Sequence, residues 1–312
     1  MRPVFEWELG SRSLQLGKRT LVMGVVNVTP DSFSDGGLYF ERERAVEHAL
    51  RLIDEGADIL DIGGESTRPG ARVLTSSEGK DDAGTEPRAV PRFRQAVSET
   101  EELERVIPVI TAVKQARPEA LISVDTYKAK VARAAVDAGA EMVNDVSGFR
   151  WDPELAKTVA QLKCGAVLMH MRGRPEEWRT LPPIGDAVGT VKRDLKQWVE
   201  SATGAGVAPQ RIALDPGFGF GKNFEENYAL LAGFPELHTL GFPLLAGVSR
   251  KSFIGRTLAR GGKDAVVTER LYGTLAVETA LVLAGAHVIR THDVKAGVEA
   301  AQVADAILRA RP

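Results

Sequence analysis

The feature that most constrains the fold is a unit that repeats along the chain from Thr20 onward. In each unit a short apolar run, too short for a helix, ends at a polar residue and is followed by a longer amphipathic segment. Because strands and helices alternate, the strands should be parallel and joined by right-handed crossovers. The eight apolar runs are Leu21–Val26, Ile59–Ile62, Leu121–Val124, Met142–Val143, Ala166–Met169, Ile212–Leu214, Leu244–Val248 and Val288–Ile289.

Eight units favour a closed barrel over an open doubly wound sheet, so we predict an α/β fold of the eight-stranded parallel (β/α)8, or TIM barrel, type. No Gly-x-Gly-x-x-Gly motif follows the first strand, which weakens the dinucleotide-binding alternative. Glycine suits the left-handed position that ends a helix, and Gly-Ala pairs recur where helical segments give way to predicted strands. The pairs are Gly56-Ala57, Gly139-Ala140, Gly165-Ala166 and Gly285-Ala286.

We expect a single domain over residues 1–312, with two segments that depart from the repeat. Residues 4–19 alternate apolar and polar side chains, which predicts an N-terminal β-hairpin. Residues 71–98 combine Gly, Ser, Pro and mixed charges with few apolar side chains, a composition typical of a mobile insertion. Two helices have predicted N-caps: Asp152, which precedes a proline, and Asp293 ahead of Val294–Leu308.

Composition excludes several classes of function. The formal net charge is −2, which argues against a dedicated nucleic-acid partner. No apolar run reaches the roughly 20 residues that a membrane span needs, and acidic residues lie where a signal peptide needs an apolar core. Cys164 is the only cysteine, so we expect a buried thiol, no internal disulfide and a cytoplasmic location.

Polar side chains recur where the predicted strands end, and in a parallel barrel those carboxyl ends form the active site. Any one of them could simply begin a loop. Together they supply carboxylates and amides from the early strands and Lys, Arg and His from the late ones. They are Asn27, Asp61 with Glu65, Asp125, Asn144 with Asp145, His170, Asp215, Lys251, and Arg290 with His292.

The residue types at these positions indicate the chemistry of the ligand. Arg290 and His292 are two apart, so on a strand they share a face and could hold an anion. Asp125, Asn144 and Asp215 could bind a heterocycle that carries amino and ring N–H groups. Asn27 could offer a hard oxygen to Mg²⁺. The sequence has no His/Cys cluster at zinc spacing and no Gly-x-Ser-x-Gly elbow.

Polar or Gly-rich loops at these strand ends add donors and space. Residues 215–222 place glycines between aromatic residues, so a flat ligand could approach the backbone closely.

The other histidines give weaker indications of a functional role. His170 could either pack at the barrel top or line the site. His48 and His238 fall in predicted helices, and His287 begins the last strand at the far end, so all three should be structural or exposed.

Several motifs together resemble the dihydropteroate synthase family, in the expected order and over almost the whole barrel. The combination is highly specific. The motifs are Asn27-Val28-Thr29-Pro30-Asp31-Ser32-Phe33-Ser34-Asp35-Gly36-Gly37, Asp61-Ile62-Gly63-Gly64-Glu65-Ser66-Thr67-Arg68-Pro69-Gly70, Ser123-Val124-Asp125-Thr126, Asn144-Asp145-Val146-Ser147-Gly148, Asp215-Pro216-Gly217-Phe218-Gly219-Phe220-Gly221-Lys222, Gly247-Val248-Ser249-Arg250-Lys251-Ser252 and Arg290-Thr291-His292-Asp293-Val294.

The resemblance implies a transferase of folate biosynthesis. It would join 6-hydroxymethyl-7,8-dihydropterin diphosphate to p-aminobenzoate and release pyrophosphate, with Mg²⁺ as cofactor, sulfonamides as inhibitors and a homodimeric assembly. The implied pterin ligands are Asp125, Asn144, Asp215 and Lys251. The implied diphosphate ligands are Asn27, Thr67, Arg68, Arg290 and His292, with Asn27 also on the metal. The implied p-aminobenzoate pocket is Phe33, Pro69, Phe220 and Ser252, and Asp31 belongs to a mobile loop over the site.

The implied reaction is a dissociative substitution in which Asp125, Lys251, Arg290 and His292 would be the catalytic groups. The one departure from the family is the insertion at 71–98, which directly follows the second motif. Two other interpretations stay open. A pterin-binding methyltransferase barrel would need a cobalamin domain or partner and has no use for a diphosphate site. A non-catalytic pterin-binding paralogue would be expected to lack some of the site residues.

Overall fold

The barrel is the core of the structure, a computed structural model that describes residues 2–28, 37–67 and 96–310. Eight parallel strands form one sheet in the order β8-β7-β6-β5-β4-β3-β10-β9. A two-stranded antiparallel hairpin precedes them, as predicted. The strands are β1 Phe5–Leu9, β2 Arg12–Leu16, β3 Leu21–Asn27, β4 Ile59–Gly63, β5 Leu121–Asp125, β6 Met142–Asp145, β7 Gly165–Met169, β8 Ile212–Asp215, β9 Leu245–Ala246 and β10 Val288–Thr291.

The barrel closes weakly between its last two edges. Strand β9 has only two residues, fewer than the apolar run 244–248 suggests. A single bridge between Leu214 and Leu244 joins it to β8, supported by a 2.9 Å hydrogen bond from the Leu214 N–H to the Pro243 carbonyl. The predicted parallel barrel is therefore confirmed as a nearly closed one.

Helices alternate with the strands and cover the outside of the barrel. Apolar side chains that point outward from the strands, such as Val26, Val124 and Leu168, are buried beneath them. Within the described ranges the helices are α1 Gly37–Asp54, α2 Glu99–Ala116, α3 Ala129–Asp137, α4 Leu155–Leu162, α5 Ala187–Gly204, α6 Phe224–Ala232, α7 Ser252–Thr257, α8 Leu271–Leu283 and α9 Val294–Arg309. None of the helices in those ranges is long and apolar enough to cross a membrane.

The N-terminal hairpin seals one end of the barrel. Trp7 is fully buried against inward-facing strand residues such as Met23 and Val167. Its indole N–H donates a 2.8 Å hydrogen bond to the carbonyl of Arg211, just before β8. An aromatic side chain buried in this way contributes about 1.5–3 kcal/mol from apolar transfer alone. Because the hairpin fills the amino-terminal end, only the carboxyl ends of the strands are left for a ligand.

The predicted helix ends are mostly confirmed. Gly56, Gly139 and Gly285 have φ of +99°, +112° and +103°, the left-handed region that favours glycine. The prediction for Gly165 is wrong, because that residue begins β7. Lys163 takes the left-handed position instead, with φ of +53°.

The two predicted N-caps differ from expectation in how their carboxylates are used. Helix α4 begins at Leu155 after Glu154, so Asp152 does not cap it. Asp152 instead accepts hydrogen bonds from the N–H groups of Ala129 (2.8 Å) and Glu154 (3.0 Å), which ties the start of α3 to the turn before α4. Asp293 does occupy the N-cap position of α9, but its side chain caps no helix N–H.

The predicted insertion 71–98 falls almost entirely outside the described residues. The described part of the chain resumes at residue 96 and leads into α2. There the Ser98 hydroxyl accepts a 3.2 Å hydrogen bond from the Glu101 N–H and caps the helix.

Cys164 is buried, as expected, and burial raises the pKa of its thiol to about 11.

Candidate active site

Four polar side chains from four strands meet inside the open end of the barrel. The Arg290 guanidinium donates from Nε to Asp61 Oδ2 (2.6 Å) and from Nη2 to Asp125 Oδ2 (2.8 Å). The Asn144 amide donates to the same Asp61 oxygen at 2.9 Å. This cluster joins β4, β5, β6 and β10, so each strand contributes its last inward-facing side chains to one polar layer above the apolar core.

Alternation along each strand explains which groups enter the cluster. On β6, Asn144 points inward, while the adjacent Asp145 points outward and is fully buried. Asp145 accepts from the Ser147 N–H (2.7 Å), the Ser147 hydroxyl (2.8 Å) and the Phe149 N–H (2.6 Å). It therefore shapes the following loop and does not face the ligand.

The cluster has more negative than positive charge. Asp61 is fully buried, and its Oδ1 has no hydrogen-bond partner among the described residues. Burial and the neighbouring Asp61 carboxylate raise the pKa of Asp125, and Arg290 opposes that rise. Two carboxylates share one guanidinium, so the barrel mouth favours a ligand that brings N–H donors or developing positive charge.

Asp215 and Lys251 lie beside this cluster and influence each other electrostatically. Asp215 is 4% exposed at the end of β8, and its Oδ1 accepts a 2.7 Å hydrogen bond from the Gly217 N–H. Burial lowers the pKa of Lys251 to about 7, although Asp215 acts in the opposite direction. The Lys251 ammonium donates to the Phe218 carbonyl and lies 4.2 Å from the centroid of the Phe220 ring.

The glycines between Asp215 and Lys222 serve the protein backbone. Gly217 has φ of +64°, and a Cβ there would lie 1.8 Å from the His170 carbonyl oxygen. At Gly221 a Cβ would come within 2.5 Å of the Arg172 carbonyl oxygen. Glycine at positions 217 and 221 is thus required by close approach to the loop after β7. The ammonium of Lys222 holds the loop by donating to the Gly217 carbonyl at 2.7 Å.

A third group lies at the rim of the barrel. Asn27 ends β3 with an exposed side chain, and His292 follows β10. Both line a cavity of about 560 Å³. The Ser249 hydroxyl fixes the histidine, because it lies 3.0 Å from His292 Nδ1 and accepts from the His292 N–H at 3.2 Å.

The remaining predicted site residues are only partly described. Phe220 lies beside Lys251 and packs edge-to-face on Trp178, with ring centroids 5.3 Å apart. Ser252 is exposed at the first position of α7. Thr67 is half-buried at the end of the described part of its loop. Asp31, Phe33, Arg68 and Pro69 lie outside the described residues.

Two strand-end residues turn away from the cluster. Glu65 is paired with Lys128 at 2.5 Å in a buried group that also contains Glu102. His170 is fully buried, stacks on Trp198 with ring centroids 5.1 Å apart, and meets Asp194 at 3.2 Å. The packing interpretation of His170 is therefore the one that the structure supports. His287 is buried and structural, as predicted, since its Nδ1 accepts the Leu244 N–H at 3.0 Å.

Sequence reasoning missed the importance of Asp61 and Ser249. Asp61 was one strand-end residue among several, yet it is the acceptor that both Arg290 and Asn144 share. A carboxylate inside the apolar run 59–62 was the available signal. Ser249 gave no comparable signal, because its role depends on a contact with His292 more than forty residues away.

No group of three or more His, Cys, Asp or Glu side chains that could hold a metal ion occurs among the described residues.

Comparison with known proteins identifies the family. The profile of the family described as "Pterin binding enzyme" matches residues 23–81 and 84–292. The dihydropteroate synthase of Synechocystis sp. is 43% identical over 301 residues, which cover 96% of this chain and 94% of that protein. The chain belongs to the dihydropteroate synthase family of pterin-binding enzymes.

Solved structures of the family agree closely with this fold. The Xanthomonas albilineans dihydropteroate synthase with 4-aminobenzoic acid has a TM-score of 0.82 at 43% identity and covers 99% of this chain and 100% of its own. The same enzyme with 7,8-dihydropteroate has a TM-score of 0.79 at 41% identity, with coverage of 98% and 100%. The Yersinia pestis enzyme with a sulfonamide drug has a TM-score of 0.83 at 38% identity, with coverage of 98% and 100%.

Proposed function

We propose that this chain is a dihydropteroate synthase, a transferase of folate biosynthesis that joins 6-hydroxymethyl-7,8-dihydropterin diphosphate to p-aminobenzoate. The observation that carries the proposal is the convergence of Asp125, Asn144, Asp215, Lys251 and Arg290 at one end of the barrel. Family membership and relatives solved with 4-aminobenzoic acid and 7,8-dihydropteroate support the same substrates. The single domain over residues 1–312 stays part of this proposal.

The pterin ring is the part of the substrate that the inner cluster suits. Its amino and ring N–H groups are donors, and Asp125, Asn144 and Asp215 present acceptors. Its carbonyl needs a donor, which Lys251 supplies. The Phe220 ring, already beside the Lys251 ammonium, provides an apolar surface next to the pterin.

Arg290 links the pterin pocket to the diphosphate. Two of its N–H groups bind Asp61 and Asp125, and a guanidinium has five such donors. The remaining donors can therefore reach a phosphate oxygen. His292, Asn27, Thr67 and Arg68 complete the proposed diphosphate site, and Phe33, Pro69, Phe220 and Ser252 form the p-aminobenzoate pocket, with Asp31 in the loop above.

The charges of the mouth suit a dissociative substitution. As the C–O bond to the diphosphate breaks, positive charge develops on the dihydropterin, and Asp61 with Asp125 stabilises it from within the barrel. Negative charge develops on the leaving group, where Arg290 and His292 donate hydrogen bonds. The aniline nitrogen of p-aminobenzoate is weakly basic and needs orientation more than deprotonation. Lys251 therefore serves as a donor to the pterin, and no covalent enzyme intermediate is needed.

The proposed cofactor is Mg²⁺ carried largely by the substrate. Asn27 offers one exposed amide oxygen at the strand end, which fits an ion that binds through phosphates and waters with few protein ligands. Bound there, Mg²⁺ would neutralise charge on the departing diphosphate.

The direct test of the function is an assay with both substrates and Mg²⁺, in which pyrophosphate and 7,8-dihydropteroate should form in equal amounts. Asp215→Asn should raise KM for the pterin diphosphate by about 10-fold or more, since it removes a charged acceptor. Asp137→Asn, an exposed carboxylate of α3, is the matched control and should leave KM unchanged. Well-folded wild-type protein that released no pyrophosphate would disprove the proposed activity.

Asn27→Ala should raise the Mg²⁺ concentration that gives half-maximal activity by about 10-fold, because it removes the proposed hard ligand. Asn27→Asp retains an oxygen ligand and should respond far less. The measurement is a Mg²⁺ titration of the initial rate at saturating substrates. An unchanged half-maximal concentration in Asn27→Ala would place the ion elsewhere.

We further propose a homodimer that uses the outer faces of α8 and α9. Tyr272 is 83% exposed, and Val303 and Ile307, one helical turn apart on α9, are 62% and 46% exposed. Ile307→Glu should convert the dimer to a monomer, as measured by light scattering after gel filtration. Val4→Glu, at an exposed apolar residue near the hairpin, should not change the mass. A monomeric wild type at micromolar concentration would contradict this assembly.

The proposed compartment is the cytoplasm. Its support is chemical: the one cysteine of the chain is buried, so the protein depends on no disulfide.

A further inference from the structure

The turn that leads into Lys251 has a strained residue inside it. The Lys251 N–H donates a 3.2 Å hydrogen bond to the Val248 carbonyl, which closes a four-residue turn over 248–251. Arg250 is the third residue of this turn and has φ of +59°, in the left-handed region. Turns with such a φ favour glycine at the third position, because a Cβ there crowds the backbone. The chain therefore has an arginine where a glycine would fit the backbone better.

Three different groups hold Arg250 in this conformation. Its N–H donates a 3.0 Å hydrogen bond to the buried Thr274 hydroxyl of α8, and its carbonyl accepts a 2.8 Å hydrogen bond from the Arg270 guanidinium. The Arg250 guanidinium donates to both carboxylate oxygens of Asp293, from Nε at 2.9 Å and from Nη2 at 2.5 Å. A two-point contact of this kind fixes orientation as well as distance. Strained backbone persists where the surroundings determine it in this way.

The 248–251 turn lies between two parts of the candidate active site. Ser249 comes directly before Arg250, and its hydroxyl is 3.0 Å from His292 Nδ1. Lys251, the proposed donor to the pterin, comes directly after Arg250. Asp293 follows His292 at the N-cap position of α9. The pair between Arg250 and Asp293 thus joins the turn that contains Lys251 to the segment that contains His292.

The side chain of Arg250 accounts for the strain. A glycine at position 250 would make the same backbone hydrogen bonds to Thr274 and Arg270 without a Cβ. What the arginine adds is its contact with Asp293. The Asp293 carboxylate caps no N–H of α9, so both of its oxygens are used by the guanidinium. The strained residue therefore serves the connection between the turn and the end of β10.

We propose that Arg250 is a positioning residue whose pair with Asp293 sets the distance between Lys251 and His292, so that both ends of one pterin diphosphate molecule are bound together. This inference rests on the proposed function and deepens it. A ligand with only a pterin, or only a diphosphate, does not depend on that distance. The intact substrate does, because one rigid molecule must reach both residues.

The test compares the intact substrate with its two halves. Without p-aminobenzoate there is no turnover, so calorimetry gives the affinity for the pterin diphosphate, for 6-hydroxymethyl-7,8-dihydropterin, and for pyrophosphate with Mg²⁺. Arg250→Gly keeps the left-handed turn and removes the link to Asp293. It should weaken binding of the intact substrate by about five-fold or more, and binding of each half by less than about two-fold. An equal loss for the intact substrate and for both halves would indicate a general structural role and would overturn the proposal.

Asp293→Ala removes the same link from its other side. It should weaken binding of the intact substrate by the same factor and again spare the halves. The double variant Arg250→Gly/Asp293→Ala should lose no more affinity than either single variant, since both side chains act through one contact. Additive losses in the double variant would show that the pair is not the connection, and would overturn the proposal.

Lys163→Gly is the matched control for the removal of backbone strain. Lys163 is an exposed residue with φ of +53° that ends α4, ahead of β7 at the amino-terminal end of the barrel. Lys163→Gly should raise the urea concentration at the midpoint of unfolding and leave all three affinities unchanged. If it weakened binding of the intact substrate as Arg250→Gly does, the loss could not be assigned to the Asp293 link.

Failure of the proposed function would give a different result from failure of the positioning role. If well-folded wild type bound neither the pterin nor pyrophosphate, the proposed function would be refuted and this inference with it. If the wild type bound both halves, and Arg250→Gly bound the intact substrate as tightly as the wild type does, the positioning role alone would be refuted.

Discussion

Replacing Arg290 by glutamine should lower kcat/KM by about 100-fold or more, because it removes a preorganised donor to the departing diphosphate. The same change should destabilise the folded protein by about 3–5 kcal/mol, since it leaves buried carboxylates without their counter-charge. Asp61 is fully buried, and among the described residues Arg290 is the cation that pairs with it. Steady-state kinetics and urea unfolding measure the two effects.

The pH dependence of that stability loss has a definite sign. Burial and Asp61 already raise the pKa of Asp125 in the wild type, while Arg290 lowers it. Without Arg290 the pKa of Asp125 should rise further, so the folded variant binds a proton more readily than the unfolded chain does. The loss of stability should therefore shrink as the pH falls and grow as the pH rises.

Arg19 provides a matched control for this prediction. It forms a bidentate pair with Asp58 at 2.8 Å and 2.6 Å, but its side chain is 56% exposed and lies near the amino-terminal end of β3. Arg19→Gln should change stability by less than about 1 kcal/mol and leave kcat/KM unaltered. Equal losses in the two variants would contradict a special role for the cluster around Asp61.

Much of this architecture could be predicted because its cause is local. Each strand is a short apolar run, and each polar residue at its end is adjacent in sequence to the run that positions it. Alternation alone places Asn144 inward and Asp145 outward. The barrel, the hairpin and the approximate location of the candidate site followed from such patterns.

The misjudged features depend on contacts between distant segments. The glycine at 217 is required by the His170 carbonyl, 47 residues earlier in the chain and invisible from the loop itself. Glu65 looked like a site residue until Lys128, on the next unit, paired with it. Asp293 was a correct N-cap position, yet Arg250 occupies its carboxylate. A motif shows which residues are near each other in sequence, but not which partner each side chain finds.

The barrel mouth also combines a stability cost with its binding role. Three carboxylates, Asp61, Asp125 and Asp215, lie close together at the mouth. Arg290 pairs with the first two, and Lys251, Arg290 and Lys222 act electrostatically on Asp215. Asp61 Oδ1 has no hydrogen-bond partner within the described part of the chain, and burial lowers the pKa of the Lys251 ammonium. A donor-rich, flat ligand would satisfy these groups together. Substrate binding should therefore stabilise the protein more than its contact area alone suggests.

Lys251 is the residue where this cost should be easiest to measure. Lys251→Met keeps the length of the side chain and removes its charge, so affinity for the pterin should fall by about 10-fold or more. The ligand-free variant should nevertheless be more stable, by on the order of 2 kcal/mol at pH 6, because the folded protein no longer holds a buried ammonium. Isothermal calorimetry and urea unfolding give the two quantities.

The pH dependence identifies the cause of that gain. The folded-state pKa of Lys251 is about 7, against an ordinary lysine value of 10.5, so between these values the unfolded chain binds the extra proton. Wild-type stability thus rises with pH over this window, and the stability advantage of Lys251→Met should be largest below pH 7 and decline steadily above it.

Lys128→Met is the contrasting control, because that ammonium is paired with Glu65 and Glu102 at 2.5 Å. Its loss should destabilise the fold by about 3–5 kcal/mol. A Lys251→Met protein that lost stability as Lys128→Met does would mean that Lys251 is a structural ion-pair partner, and its assignment to the pterin would have to be abandoned.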